Sequence, residues 1–457
     1  MMKLLRKTTA KRHRRGFTLT ELMVSLVMGL IVALAAVGLA RTATTTFHEQ
    51  ARSSTTEMTI RTASNRLRQD LGRASYMSTG NIILDPKVAK FESAGTDATK
   101  IPRYPALATL RGIKVDVGMA DGGPPATLAQ NGLKPDAIEL AGNYTTDDAY
   151  SGTIEDGAGG TSGDGSCNNA QTIRLDTAAD AATFTLGGGD KTGNVALATL
   201  TANARAAFMP VAKKQFLAQV TDPMGCNHYV PVCDVVVTGS APKPVLLVLV
   251  DAPANNRAVL YSNSTAAEQD KVARNCGAAV GGRVTIAPLS RIRWSIQVSG
   301  PALAPNPAVE DATKKTDLVR EVLDFGGEPL FKEVVAEYVV DMKFGLVIDD
   351  RAGAGANRQK ILDIDSDPGT GDIWKTTSSA ESIDPTKPGP QRVRAVRFRL
   401  AARASVPDRN ADLALDAGMV KARYCVDDDP ADCKKGWARV RTVTSEVVLT
   451  NQAGMFY

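Results

Sequence analysis

The sequence predicts an α+β chain: one long N-terminal helix, membrane-spanning in its first half, packed on an antiparallel β-sheet head with long loops. Three observations carry that reading. A basic leader is followed by an uncharged apolar run, a three- and four-residue apolar periodicity continues beyond that run, and the remainder alternates in twos between Gly- and Pro-rich connections.

The leader comes first. Residues 1–16 contain Lys3, Arg6, Lys7, Lys11, Arg12, Arg14 and Arg15 and no acid. Removing those seven from the 54 basic residues leaves 47 against 49 acidic ones, so the net charge of +5 belongs to the leader alone. The body carries no basic stripe with interleaved aromatics, and nucleic acid is not a predicted partner. From Leu22 to Ala40 run 19 uncharged residues, broken only by Ser25, Gly29 and Gly38. As a helix they cover about 28 Å, one hydrocarbon thickness. The positive-inside rule then keeps the leader cytoplasmic and places the chain after Ala40 on the far side. A competing reading, a secretory signal cut at Gly38-Leu39-Ala40, would release a chain beginning at Arg41. Against a plain anchor stands Glu21, because an acid at the mouth of a membrane helix is costly and functional by default.

The second half of the helix follows. Ile60, Ala63, Leu67, Leu71 and Ala74 recur at helical spacing, Glu57 and Arg61 form an i,i+4 pair, and neither Gly nor Pro intervenes between Arg41 and Leu71. The boundaries read as 17–40 for the transmembrane half, 41–74 for the amphipathic half and 75–457 for the head. A break at the β-branched run Thr42–Thr46 is the alternative.

Strands are expected over Val245–Val250, Arg283–Ile286, Arg291–Val298, Val334–Ile348, Val393–Leu400 and Val440–Leu449. Met342, Phe344, Leu346 and Ile348 alternate with Asp341, Lys343, Gly345 and Val347, the signature of an antiparallel sheet with one wet face. All six cysteines lie beyond the apolar run: Cys167, Cys226, Cys233, Cys276, Cys425 and Cys433. An even count in an exported chain predicts disulfides. Proximity favours Cys226 with Cys233 and Cys425 with Cys433, leaving Cys167 for Cys276.

Chemistry-bearing patterns are sparse. Asp363, Asp365, Asp367 and Asp372 place hard oxygen donors at alternate positions and are candidate calcium ligands, although Pro368 and Trp374 stand where an EF-hand needs Gly and an acid. Cys226, His228 and Cys233 would offer three zinc ligands without a fourth. With three histidines in all and no nucleophile motif, the chain reads as a non-enzyme.

Basic residues, Gly16, Phe17-Thr18-Leu19-Thr20-Glu21 and an apolar helix together resemble the class III signal of type IV pilins and type II secretion pseudopilins. The resemblance implies cutting after Gly16 by a prepilin peptidase, N-methylation of Phe17, and an assembly role for Glu21 as fifth residue of the mature chain. Its carboxylate would neutralise the α-amino group of a neighbouring subunit. Pilins often carry a proline within this helix; here none occurs between Phe17 and Gly72. Residues 66–77 (RLRQDLGRASYM), 318–349 and 393–404 resemble the PilW-like minor pilins more than the smaller J-type pseudopilins. That likeness implies a prepilin of the inner membrane with its head in the periplasm. It further implies other minor pilins and the major pilin as partners, a tip adhesin among them, and incorporation at the pilus tip.

Overall fold

A computed structural model describes residues 17–91, 101–102, 107, 109–119, 124–160, 170–180, 183–186, 197–208, 216–238, 245–250, 276, 281–298, 314–349, 359–362, 389–407, 423–426, 433 and 436–455. Gly16, Cys167 and the candidate calcium ligands Asp363, Asp365, Asp367 and Asp372 lie outside the described residues. The chain forms two compact units, residues 1–55 and Thr56–Tyr457.

Helix α1 runs over Leu19–Gly72, 54 residues or about 80 Å. It does not break at the threonine run. Thr42, Thr44 and Thr46 donate their hydroxyls to the carbonyls of Gly38, Ala40 and Thr42 at 3.0, 2.8 and 2.9 Å, so each polar side chain is satisfied inside the helix. The helix stops at Gly72, where Asn451 Nδ2 donates to the carbonyls of Gly72 (2.9 Å) and Ala74 (3.3 Å) and supplies partners that the last turn lacks.

In the second unit the main strands are β1 (Ile113–Asp116), β2 (Ala137–Gly142), β3 (Tyr150–Gly160), β4 (Ala170–Leu175), β5 (Phe216–Thr221), β6 (Asn227–Thr238), β7 (Val245–Val250), β8 (Arg283–Val298), β9 (Thr316–Leu323), β10 (Pro329–Glu337), β11 (Val339–Asp349), β12 (Gln359–Leu362), β13 (Val393–Arg403), β14 (Arg423–Cys425) and β15 (Trp437–Val448). All pairings among them are antiparallel.

β8 organises the larger sheet. The two strands expected over 283–286 and 291–298 are one strand of 16 residues, continuous through Pro288. Its first half pairs with β3 on one side and β5 on the other, closing a ring in the order β8-β3-β4-β7-β6-β5. Its second half pairs with β2 and β9, so an open sheet β1-β2-β8-β9-β10 grows from the same strand. A row of alternating charge crosses that open sheet: Lys114, Glu139, Arg293, Glu321 and Lys332 are successive cross-strand partners. A one-residue slip of β2 would set Glu139 against Ile292 or Trp294 and turn the apolar face outward, so the row specifies register.

The smaller sheet runs β12-β11-β13-β15-β14. The strand expected over 334–348 is divided into β10 and β11 at Tyr338, whose φ of 58° lies in the left-handed region. That turn moves the chain from one sheet to the other. Tyr338 is held there by its N–H to Asp317 Oδ1 (3.1 Å) and by the Arg403 N–H on its carbonyl (2.9 Å), with Lys315 and Arg403 each 4.8 Å from its ring.

Ile60, Ala63, Leu67 and Leu71 of α1 are fully buried against Ile138 and Leu140 of β2, Ile292, Trp294 and Ile296 of β8, and Phe344 and Phe398 of the smaller sheet. Asp70 lies on the same stripe, 5 % exposed. Its Oδ2 accepts from Trp294 Nε1 (3.0 Å) and Arg320 Nε (2.7 Å), and the Tyr144 hydroxyl donates to its carbonyl (3.2 Å). Burial, and then the Asp70 charge, push the Tyr144 hydroxyl well above its ordinary pKa.

The cysteine pairing differs from expectation. Cys226 is joined to Cys276, with Cα atoms 5.7 Å apart, and not to Cys233. Cys226 precedes β6 and Cys233 lies within it, so seven extended residues hold their Cα atoms about 20 Å apart, far beyond disulfide reach. Cys233 is disulfide-bonded elsewhere, and Cys425 is joined to Cys433.

Three outcomes follow from this packing. Asp70→Ala leaves the Arg320 guanidinium buried without its closest acid and lowers stability by about 3 kcal/mol, read as the thermal midpoint of the full chain in detergent; an unchanged midpoint would show the pair to be dispensable. A non-reducing digest yields a Cys226–Cys276 peptide, and Cys226→Ser with Cys276→Ser costs about 4 kcal/mol for the 50-residue closure. Burial outweighs Arg399 and Lys343 in raising the Asp341 carboxyl above its ordinary pKa. Its contribution to stability is therefore full below the unfolded carboxylate range near about 4 and is lost as pH rises through the higher native value. Asp341→Asn flattens that part of the pH–stability curve.

Candidate functional site

Phe17, Thr18 and Glu21 gather at the start of α1. Phe17 and Thr18 precede the helix, and Glu21 sits in its first turn. Thr18 Oγ1 receives the Glu21 N–H at 3.3 Å, while Glu21 Oε2 accepts from the Thr18 N–H at 3.5 Å and from its hydroxyl at 3.4 Å. This reciprocal arrangement is a capping box, which satisfies orphan donors at both ends of a Thr-x-x-Glu stretch. The carboxylate also lies at the positive end of the helix dipole. The capping role of Thr18 was missed in the sequence reading, although the spacing of Thr18 and Glu21 was its signal.

From Phe17 to Phe47 every side chain is exposed, including Leu22, Met23, Leu26, Leu30, Ile31 and Leu34. A helix that is apolar on all sides and buries none of that surface among the described residues is suited to a lipid or helical surrounding. Length and composition alone make α1 able to cross a membrane. Glu21 then has one feature no other residue of the apolar stretch shares: a carboxylate within one turn of Phe17, where a charge of opposite sign would be strongly favoured in a low dielectric.

In the head, the zinc reading of Cys226, His228 and Cys233 does not assemble. Asp222, Cys226 and Cys276 bring ligand atoms within 4.8 Å of one another, but both sulfurs belong to one disulfide and offer no thiolate. Asp222 is instead the organiser of a turn. Its Oδ1 accepts from the N–H groups of Met224 and Cys226, both at 2.9 Å, and its Oδ2 lies 3.0 Å from His228 Nε2.

The comparisons with known proteins bear on the N-terminal segment alone. Residues 11–37 match the family described as the prokaryotic N-terminal methylation motif. No curated protein and no solved structure matches the chain. The motif covers the basic leader, Gly16, Phe17, Glu21 and most of the apolar run. It supports a pilin- or pseudopilin-like chain that is processed by a prepilin peptidase, anchored through an N-terminal apolar helix and structural in role.

Proposed function

We propose that this chain is a PilW-like minor pilin that primes type IV pilus assembly and is incorporated at the filament tip. The observation that carries the reading is the methylation motif at 11–37 running directly into one uninterrupted helix of 54 residues. Such a helix offers a bare apolar surface to neighbours at one end and a docked head at the other. In this reading the chain is a single-pass inner-membrane prepilin with its head in the periplasm. The peptidase cuts between Gly16 and Phe17, Phe17 is N-methylated, and Glu21 meets the α-amino group of a neighbouring subunit. Its partners are other minor pilins and the major pilin. At Asp363, Asp365, Asp367 and Asp372 the preferred reading is a solvated acidic stretch, with calcium binding the alternative.

Mass spectrometry of the membrane-extracted chain tests the first step, and an N-methylated Phe17 at its start is expected. A chain beginning at Arg41 would sink the reading. Glu21→Ala is expected to abolish piliation while leaving the protein in the membrane. Unchanged function in that variant would favour a membrane-anchored adhesin or binding module. A defect in protein export with normal piliation would favour a J-type pseudopilin of type II secretion.

A further inference from the structure

The alternating row on the open sheet is well compensated except around Glu139. Lys114 lies 3.1 Å from Asp116, and Lys332 lies 2.7 Å from Glu321. Glu139 itself faces Arg293 across β2 and β8 and accepts from Arg291, whose Nε and Nη2 both reach the single oxygen Oε1, at 2.8 and 2.6 Å. Arg111 also feels the charge of Glu139, yet burial outweighs that help and lowers the Arg111 pKa to about 10. Glu139 thus answers to Arg291 and Arg293, while Arg293 also faces Glu321 on β9.

One donor of this group is left over. Arg291 is 5 % exposed, and its Nη1 is buried with no hydrogen-bond partner. A buried unpaired donor on a charged group is expensive and calls for an explanation. The turn from Asp324 to Glu328 lies over it. Gly327, at a φ of 96°, stands where a Cβ would come within 3.2 Å of Nη1 and 3.4 Å of Nη2, so a glycine is what lets the turn pack this closely on the fork without offering it a hydrogen-bond acceptor. The one acid of the turn's first position does not fill the gap, because Asp324 Oδ1 accepts the Glu328 N–H at 2.8 Å.

We propose that Arg291, paired with Glu139, forms a binding site for a small oxyanion (carboxylate, sulfate or phosphate) beneath the Asp324–Glu328 turn. An oxygen accepting from Nη1 completes the fork that Glu139 half fills. Glu139 competes with the ligand for the same guanidinium, which gives the site a sign that a structural ion pair lacks. The proposal does not depend on the pilus reading.

The test is thermal unfolding of the full chain in detergent, titrated with sodium sulfate, sodium phosphate or N-acetylglutamate at ionic strength held constant with sodium chloride. The midpoint is expected to rise saturably with at least one of these anions, and Arg291→Gln to remove that rise. Glu139→Gln is expected to lower the half-saturating concentration by at least about threefold, since a competing charge is gone. Arg397→Gln, on the other sheet, is expected to change neither. Should Arg291→Gln fail to fold, Arg291→Lys keeps the charge and loses the fork, with the same expected loss. A response to sulfate and phosphate alone assigns a tetrahedral anion, and a response to N-acetylglutamate assigns a carboxylate. If no anion acts differently from chloride, or if Glu139→Gln weakens the response, a water completes Nη1 and the proposal is overturned.

Discussion

A carboxylate on the apolar stripe of α1 constrains the head more than any other single group. Asp70 is one turn from Leu67 and adjacent to Leu71, both fully buried, so docking the helix necessarily takes its charge out of water. Desolvation of that size is tolerable only if donors wait at the docking surface. Both donors come from far along the chain, Trp294 and Arg320, and they are direct cross-strand partners on β8 and β9. The pairing of β8 with β9 and the seating of the helix are therefore one event energetically. A sheet slipped by a residue would present Trp294 and Arg320 to the wrong face and leave Asp70 uncompensated.

The same strand explains how a β-rich chain of this length holds together. β8 gives its first seven residues to the closed ring and the rest to the open sheet, so the ring has no free edge at that seam. Tyr338 then carries the chain from the larger sheet to the smaller one at the cost of a left-handed residue. Cationic side chains on its ring and an acid on its N–H make that conformation the favoured one. The C-terminal segment closes the arrangement at the helix end, where Asn451 takes up carbonyls that Gly72 and Ala74 leave open.

The N-terminal half of α1 obeys a different logic. Its side chains are apolar on every side and exposed among the described residues, and its two polar termini are managed locally. Thr18 and Glu21 cap each other, and the threonine hydroxyls beyond the apolar run fold back onto the helix. In the proposed assembly the capping carboxylate would exchange its local donors for the amine of another subunit. Such an exchange is favourable only where water is scarce.

Much of this was legible in the residues. The span of α1 follows from the apolar run and from Ile60, Ala63, Leu67 and Leu71, because a 3.6-residue period is a local property of the chain. The alternation of Met342, Phe344, Leu346 and Ile348 marked β11 for the same reason, with a period of two. The N-terminal motif was recognisable because it is a pattern of adjacent residues. What no local pattern contains is the partner of a group. Asp70 reads as one more polar residue on a helix until Trp294 and Arg320 arrive from 224 and 250 residues away. Cys226 lies seven residues from Cys233 but is held apart from it by the rigidity of β6, and it bonds to Cys276, 50 residues on. The sharing of β8 between ring and open sheet, and the unpaired nitrogen of Arg291, belong to the same class. Sequence alone determined the helix, the alternating strands and the N-terminal motif, since each is written in short-range periodicity. Tertiary structure decided the pairings, since closing a long loop is set by which distant surfaces fit and which buried charges find an opposite.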